Sequence, residues 1–245
     1  MADETLARSF ETIGEDYDRY RPGFPEEAAS AIIPVAVDTA LDLGAGSGKF
    51  TALLVPRARR TFAVEPSERM LQVLRTNLPG VDAMIGTAER IPVGDASTDV
   101  VTVAQAFHWF DREAASAEIA RVLVPGGTLG LVWNHSDPAC NWDRACHRIA
   151  HPAVGEQDAT TDSADSELPG FALIRREVLR WSEHISRSHY LRRWATVSSL
   201  LVADGPDRER MLGEIEAVLD QDEETRGRAQ LELPQVTDVF VYRRI

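Results

Sequence analysis

From Thr39 to Trp133 the chain alternates short apolar runs with stretches of helical period, and this rhythm excludes most folds before any single residue is considered. The runs at 40–43, 61–65, 83–85, 100–104 and 128–133 read as strands. The intervening 49–56, 67–78 and 111–123 read as helices, the last stopped by Pro125-Gly126-Gly127. Strands joined through helices are the mark of βαβ units and a mostly parallel sheet with helices on both faces. Two further runs, around 174–181 and 235–243, bring the expected sheet to seven strands. Helices are expected at 4–20, from Pro25 to about Ile33, at 142–150, at 188–201 and at 206–220.

The first strand runs into Leu41-Asp42-Leu43-Gly44-Ala45-Gly46-Ser47-Gly48 and then a helix, the position at which an α/β sheet binds a nucleotide or nucleoside. Three chemistries compete for such a loop. A dinucleotide fingerprint needs its third glycine where this chain has Lys49. A phosphate-binding P-loop would need glycine at Leu43 and a hydroxyl at Phe50. What remains is a loop whose glycines let the backbone lie flat against a ligand that carries no pyrophosphate, such as an amino-acid moiety. About twenty residues on, Glu65 ends the second strand, where an acid accepts hydrogen bonds from both ribose hydroxyls.

Charge and composition limit the partners. The 245 residues carry 26 basic and 39 acidic side chains, a net charge of −13, and no segregated basic stripe. That balance repels phosphate backbones and anionic lipid, so neither nucleic acid nor membrane is an expected partner. With no apolar run of signal or membrane-spanning length, the expected location is cytoplasmic. Two cysteines, Cys140 and Cys146, are too few for a disulfide scaffold. With His135, His147 and His151 they match no zinc spacing, so no metal is expected.

Five segments, in order, resemble the motifs of class I S-adenosylmethionine-dependent methyltransferases. They are 41–49, Phe-Ala-Val-Glu-Pro-Ser-Glu-Arg-Met at 62–70, Gly-Thr-Ala-Glu-x-Ile-Pro at 86–92, Ala-Gln-Ala-Phe-His-Trp-Phe at 104–110, and Arg-Val-Leu-x-Pro-Gly-Gly at 121–127. The type 11 branch, with proteins similar to trans-aconitate methyltransferase, is nearest. The resemblance implies a Rossmann-like fold with an N-terminal helical lid at 1–37, a cofactor-binding core at 38–133, and an acceptor-pocket region at 134–204 holding an acidic loop at 155–170. A final helix and strand at 205–245 complete a single domain. It also implies S-adenosylmethionine as cofactor and S-adenosylhomocysteine as product.

Carried over by residue, the resemblance sets Asp42, Gly44, Ala45 and Gly46 at the methionine part, Glu65 on the ribose, and Pro66 and Met70 beside the adenine. Ala88 would offer its backbone N–H to the ring. Related proteins often carry Asp where this chain has Thr87; its hydroxyl replaces that acceptor weakly, and Glu89 is the neighbouring carboxylate that compensates. Gln105 and Phe107 would line the sulfonium region, and Tyr17, Tyr20 and Arg21 would belong to the lid.

Methyl transfer from a sulfonium is an in-line displacement with a neutral leaving group, so alignment and exclusion of water suffice for much of the catalysis. A carboxylate acceptor needs no base, whereas a phenol, hydroxyl or amine does. His108, just past the fourth strand, is the candidate base, with a pocket-shaping histidine as the alternative. Trp109, Trp133 and His135 are candidate acceptor contacts, and Tyr20 with them. Arg193 either clamps an acceptor carboxylate or lies solvated on an amphipathic helix with Trp194 in the core. The expected acceptor is a small molecule, methylated at oxygen, and the expected assembly is a monomer or homodimer. A cofactor-binding protein without transfer activity is the competing reading.

Overall fold

The computed structural model describes residues 19–151 and 168–245. The expected N-terminal helix up to Asp18, with Tyr17, and residues 155–167 of the acidic loop expected at 155–170 lie outside the described residues. The described residues fall into two compact units. The first comprises 23–134, 168–179 and 237–245, and the second 19–22, 135–151 and 180–236.

Seven strands form one sheet in the order β3-β2-β1-β4-β5-β7-β6. Their ranges are β1 Val37–Leu43, β2 Ala58–Glu65, β3 Asp82–Ile85, β4 Thr98–Ala104, β5 Leu123–Ser136, β6 Phe171–Ser186 and β7 Gln230–Arg244. The pairs β1–β2, β1–β4, β2–β3 and β4–β5 are parallel. The order reverses between β1 and β4, which leaves a crevice beyond their carboxyl ends for a ligand.

The core of the first unit follows directly from strand period. Leu41, Leu43, Phe62, Val64, Val101, Val103, Leu129, Leu131 and Trp133 pack on one side of the sheet, together with Ile119 and Val122 of α4 (Arg112–Val122). Their sequence neighbours Ala40, Val100 and Val132 pack on the other, against Ala28, Ala29 and Ile32 of α1 (Glu26–Ile32) and Leu54 of α2 (Thr51–Leu54). Successive side chains of a strand point to opposite faces, so both faces of a buried strand must be apolar. Helix α3 (Glu68–Asn77) starts on Ser67, whose hydroxyl accepts from the Met70 N–H, and α4 starts on Asp111, whose carboxylate accepts from the N–H groups of Glu113 and Ala114.

The second unit is mainly helical. It holds α5 (Asn141–Ala150), α6 (Arg187–Ala195), α7 (Ser198–Val202) and α8 (Gly205–Gln221). Trp142, Cys146, Tyr190, Trp194, Leu200, Ile215 and Leu219 make its core.

Two expectations about element ends change. Pro125-Gly126-Gly127 does not terminate a helix; α4 has already ended at Val122, and the tripeptide lies inside β5, where the pairing jumps from Thr98–Leu123 to Val100–Thr128. Helical angles are disfavoured at Val124, which precedes proline, and the chain is already extended at Leu123. Likewise, the helix expected over 188–201 is two helices, because the Thr196 hydroxyl turns back to the Arg193 carbonyl at 2.7 Å and Val197 is extended.

Candidate functional site

Within the first unit, the carboxyl ends of β1, β2 and β4 bring most of the candidate cofactor residues together. Gly44 and Gly46 have φ of +69° and +55°, left-handed values that a side chain disfavours. At Gly44 an added Cβ would stand 2.7 Å from the Ala106 Cβ, whereas at Gly46 it would meet nothing within 4 Å. The first glycine is therefore required by packing against the turn after β4. The second leaves bare backbone facing open space.

Glu65 holds this loop in shape. One carboxylate oxygen accepts from the Gly46 N–H at 2.9 Å and the other from the Ser67 N–H at 3.0 Å. Burial pushes its pKa up, while those two N–H groups oppose the shift. A carboxylate has about four lone-pair sites, so two remain for hydroxyl donors. The spare acceptors of Glu65 and the uncovered Gly46 backbone fit the ribose and amino-acid parts of S-adenosylmethionine.

Asp42 sits deeper. It is buried, and its two oxygens accept from the Thr51 hydroxyl at 2.6 Å and the Thr102 hydroxyl at 2.9 Å. Burial raises its pKa to about 6, against the pull of those hydroxyls. Asp42 thus ties β1 to the start of α2 and to β4, and shapes the loop from beneath. The sequence offered no sign of Thr102 as a partner; Thr51, one helical step past the loop, was the only local clue.

Further along, Pro66 is exposed, and Met70 and Ala88 are buried. Glu89 accepts from the Asp111 N–H at 3.1 Å, and Thr87 pairs across a tight turn with Arg90. Gln105 has φ +55° and donates its side-chain amide to the Asn134 carbonyl at 2.8 Å. Such strain in a non-glycine residue concentrates at functional sites. Asn134, unforeseen from sequence, is a junction: its amide nitrogen donates to Gly23 and its amide oxygen accepts from Thr237.

The aromatic run after β4 divides by depth. Phe107 is buried in the core, edge-on to Phe110 at 5.9 Å, His108 is half-buried against the Trp109 ring at 4.8 Å, and Trp109 is 41% exposed. Trp133 is buried, packed edge-on against Phe240 at 5.8 Å.

The remaining candidates belong to the second unit. Arg193 closes its fork on Glu183 at 2.6 and 2.9 Å and donates from Nε to the Tyr20 carbonyl at 2.7 Å. It is buried and paired, which is neither the solvated arginine nor the unoccupied clamp of the sequence reading; Trp194 does lie in the core. The Tyr20 hydroxyl accepts from Arg192 at 2.9 Å, Arg21 donates to the Thr196 carbonyl at 3.2 Å, and His135 is half-buried beside the Ser136 carbonyl. Cys140 and Cys146 are buried, and burial pushes both thiols up to about 12.

The chain matches the family model for the methyltransferase domain over residues 41–131. It is 37% identical to an uncharacterized methyltransferase of Mycobacterium tuberculosis, over 95% of this chain and 94% of that protein. It is 45% identical to a malonyl-[acyl-carrier protein] O-methyltransferase of Methylococcus capsulatus, but over only 37% of this chain and 35% of that one. Among solved structures, a putative type II methyltransferase from Anaeromyxobacter dehalogenans superposes with a TM-score of 0.70 at 25% identity, over 92% of this chain and 97% of that one.

Proposed function

The chain belongs to the class I S-adenosylmethionine-dependent methyltransferases, and from that premise we propose that it methylates a small molecule at oxygen, on a carboxylate, phenol or hydroxyl group. The observation that carries the cofactor half of this reading is the Gly46–Glu65 hydrogen bond, which joins a bare-backbone loop to a carboxylate with acceptors to spare.

When bound, S-adenosylmethionine supplies a methyl group on a positively charged sulfur. The chain supplies alignment. Gly44, Ala45 and Gly46 present backbone to the methionine part, Glu65 accepts the ribose hydroxyls, Pro66, Met70 and Ala88 flank the adenine, and Thr87 and Glu89 offer acceptors for its amino group. Gln105, held in one pose by Asn134, borders the reacting centre. Asp42, 1% exposed and bonded to two hydroxyls beneath the loop, acts by fixing the loop rather than by touching the ligand. His108 lies in the turn after β4 and takes the proton of a phenol or hydroxyl acceptor; with a carboxylate acceptor no proton is transferred.

Transfer of label from S-adenosylmethionine to a panel of small carboxylic acids, phenols and amines tests the reading, with mass spectrometry locating the methyl group. Esters or ethers among the products support it, and methyl groups found only on carbon or nitrogen overturn it. His108→Ala separates the two oxygen acceptors: activity is lost for a phenol and kept, without pH dependence near neutrality, for a carboxylate. S-adenosylhomocysteine bound without turnover on any acceptor would favour the non-catalytic alternative.

A further inference from the structure

The two edges of the sheet differ in a way that the methyltransferase reading does not use. At one edge, β3 is only four residues long and its Asp82 is held by Arg60 at 2.6 Å. At the other, β6 runs for 16 residues, and no described strand lies beyond it. A long edge strand exposes a row of unpaired N–H and C=O groups, and proteins normally shorten, bulge or cover such an edge. The apolar surface also gathers here. Of the nine large hydrophobic residues exposed among the described residues, Leu173, Ile174 and Val178 lie on β6, at 49%, 52% and 53% exposure. A fourth, Ile245, donates its N–H to the Gly170 carbonyl just before β6.

The sequence of this strand is complementary to itself. We infer that β6 is a homodimer interface, in which two copies pair antiparallel about a twofold axis through Arg176 and continue the sheet from one protomer into the other. In that register Arg175, which lies 3.2 Å from Glu177 of its own protomer, also faces Glu177 of the second copy, so that the four charges alternate in sign across the ladder; Ile174 faces its Val178 and Leu173 its Leu179, each pair occurring twice. Opposite charges and β-branched pairs placed directly across a ladder stabilise it. Arg176 faces its own counterpart, but each copy is already engaged within its protomer, lying over the Phe240 ring at 4.8 Å and 3.8 Å from Asp238. Shifting the centre by half a residue to 175/176 would oppose Arg175 and Arg176 twice, and centring on Glu177 would set its carboxylate against itself. The charges that would guard this edge against indiscriminate pairing therefore select one partner and one register, the isologous arrangement of a twofold dimer.

Sedimentation of the full-length chain over a concentration series, with its charge-reversed variants, tests the pairing. The wild type is expected to sediment as a concentration-dependent dimer. Glu177→Arg opposes arginines at two places and should raise the dimer dissociation constant by about tenfold or more. The double variant Arg175→Glu/Glu177→Arg restores the complementarity and the dimer. Register is read separately by oxidation: Arg176→Cys, which faces itself across a gap that a disulfide can span, crosslinks, and Ile174→Cys does not. Unchanged thermal unfolding and S-adenosylhomocysteine affinity show that the variants are folded. A wild type that stays monomeric, a dimer indifferent to charge reversal, or any other crosslinking pattern overturns the proposal.

Discussion

The two units of this chain differ in what their buried polar groups leave open. In the first, Glu65 at the end of β2 stands beside Gly46, whose backbone faces open space, and the carboxylate keeps lone pairs for a ligand. In the second, polar groups close on one another: Arg193 on Glu183 and Tyr20, Tyr190 on Asp143 at 2.6 Å, and Arg180 on Asp137 at 2.5 Å. The lesson is that a buried ionisable residue is not by itself a binding residue. What distinguishes the two cases is whether the carboxylate borders open space. Asp42, Asp143 and Glu65 all have their pKa raised by burial, but Asp42 and Asp143 accept from hydroxyls deep in their own unit, whereas Glu65 ends β2 beside the uncovered Gly46 backbone.

Four substitutions would break or sharpen that contrast. The largest effect is expected from Arg193→Ala, which leaves Glu183 and the Tyr20 carbonyl without their shared donor. Loss of one partner of a largely buried pair should cost about 3–4 kcal/mol of stability, read as a lowered urea midpoint, while S-adenosylhomocysteine affinity is kept. A fall in affinity with no loss of stability would instead make Arg193 a ligand contact. Next is Gly44→Val, which forces a side chain into the Ala106 contact at positive φ and should cost about 3 kcal/mol and abolish cofactor binding. If the variant unfolds and binds as wild type does, the loop is looser than its geometry implies.

Asp42 gives the third comparison, through pH. Its folded pKa of about 6 stands above the ordinary value near 3.8, so the folded state holds the proton more tightly. Its contribution is therefore fully present below about pH 4 and is lost as pH rises through about 6, for a total of about 3 kcal/mol. Against Asp42→Asn, the wild type should lose stability over that window, and equal slopes would mean that the carboxyl group is not held protonated. Smallest is Glu65→Ala, expected to weaken S-adenosylhomocysteine binding by about 1–3 kcal/mol in calorimetry through the lost ribose acceptors. Equal affinity in mutant and wild type would remove Glu65 from the site.

Much of the first unit was legible beforehand. The alternation of Leu41, Leu43, Val101 and Val103 with residues of the opposite face specifies buried parallel strands, and the glycine spacing at 44, 46 and 48 leaves few ligand chemistries open. The expected strands at 40–43, 61–65, 83–85, 100–104 and 128–133 all lie within observed ones. Less legible were the ends of elements, where one proline or one hydroxyl decides, as at Pro125 and Thr196. Least legible were the polar partners. Thr102 lies 60 residues from Asp42, Asn134 lies 103 from Thr237, and Arg193 lies 173 from Tyr20.

The sequence by itself therefore determined the α/β class, the faces of the strands, the glycine loop and its acid, and the methyltransferase family. Tertiary structure alone decided that Asp42 is spent on Thr51 and Thr102, that Arg193 is spent on Glu183, and that β6 is left at the edge of the sheet. The reason is range: period and turn chemistry act over a few residues and are written locally, whereas a hydrogen bond between distant side chains exists only once the fold has brought them within reach.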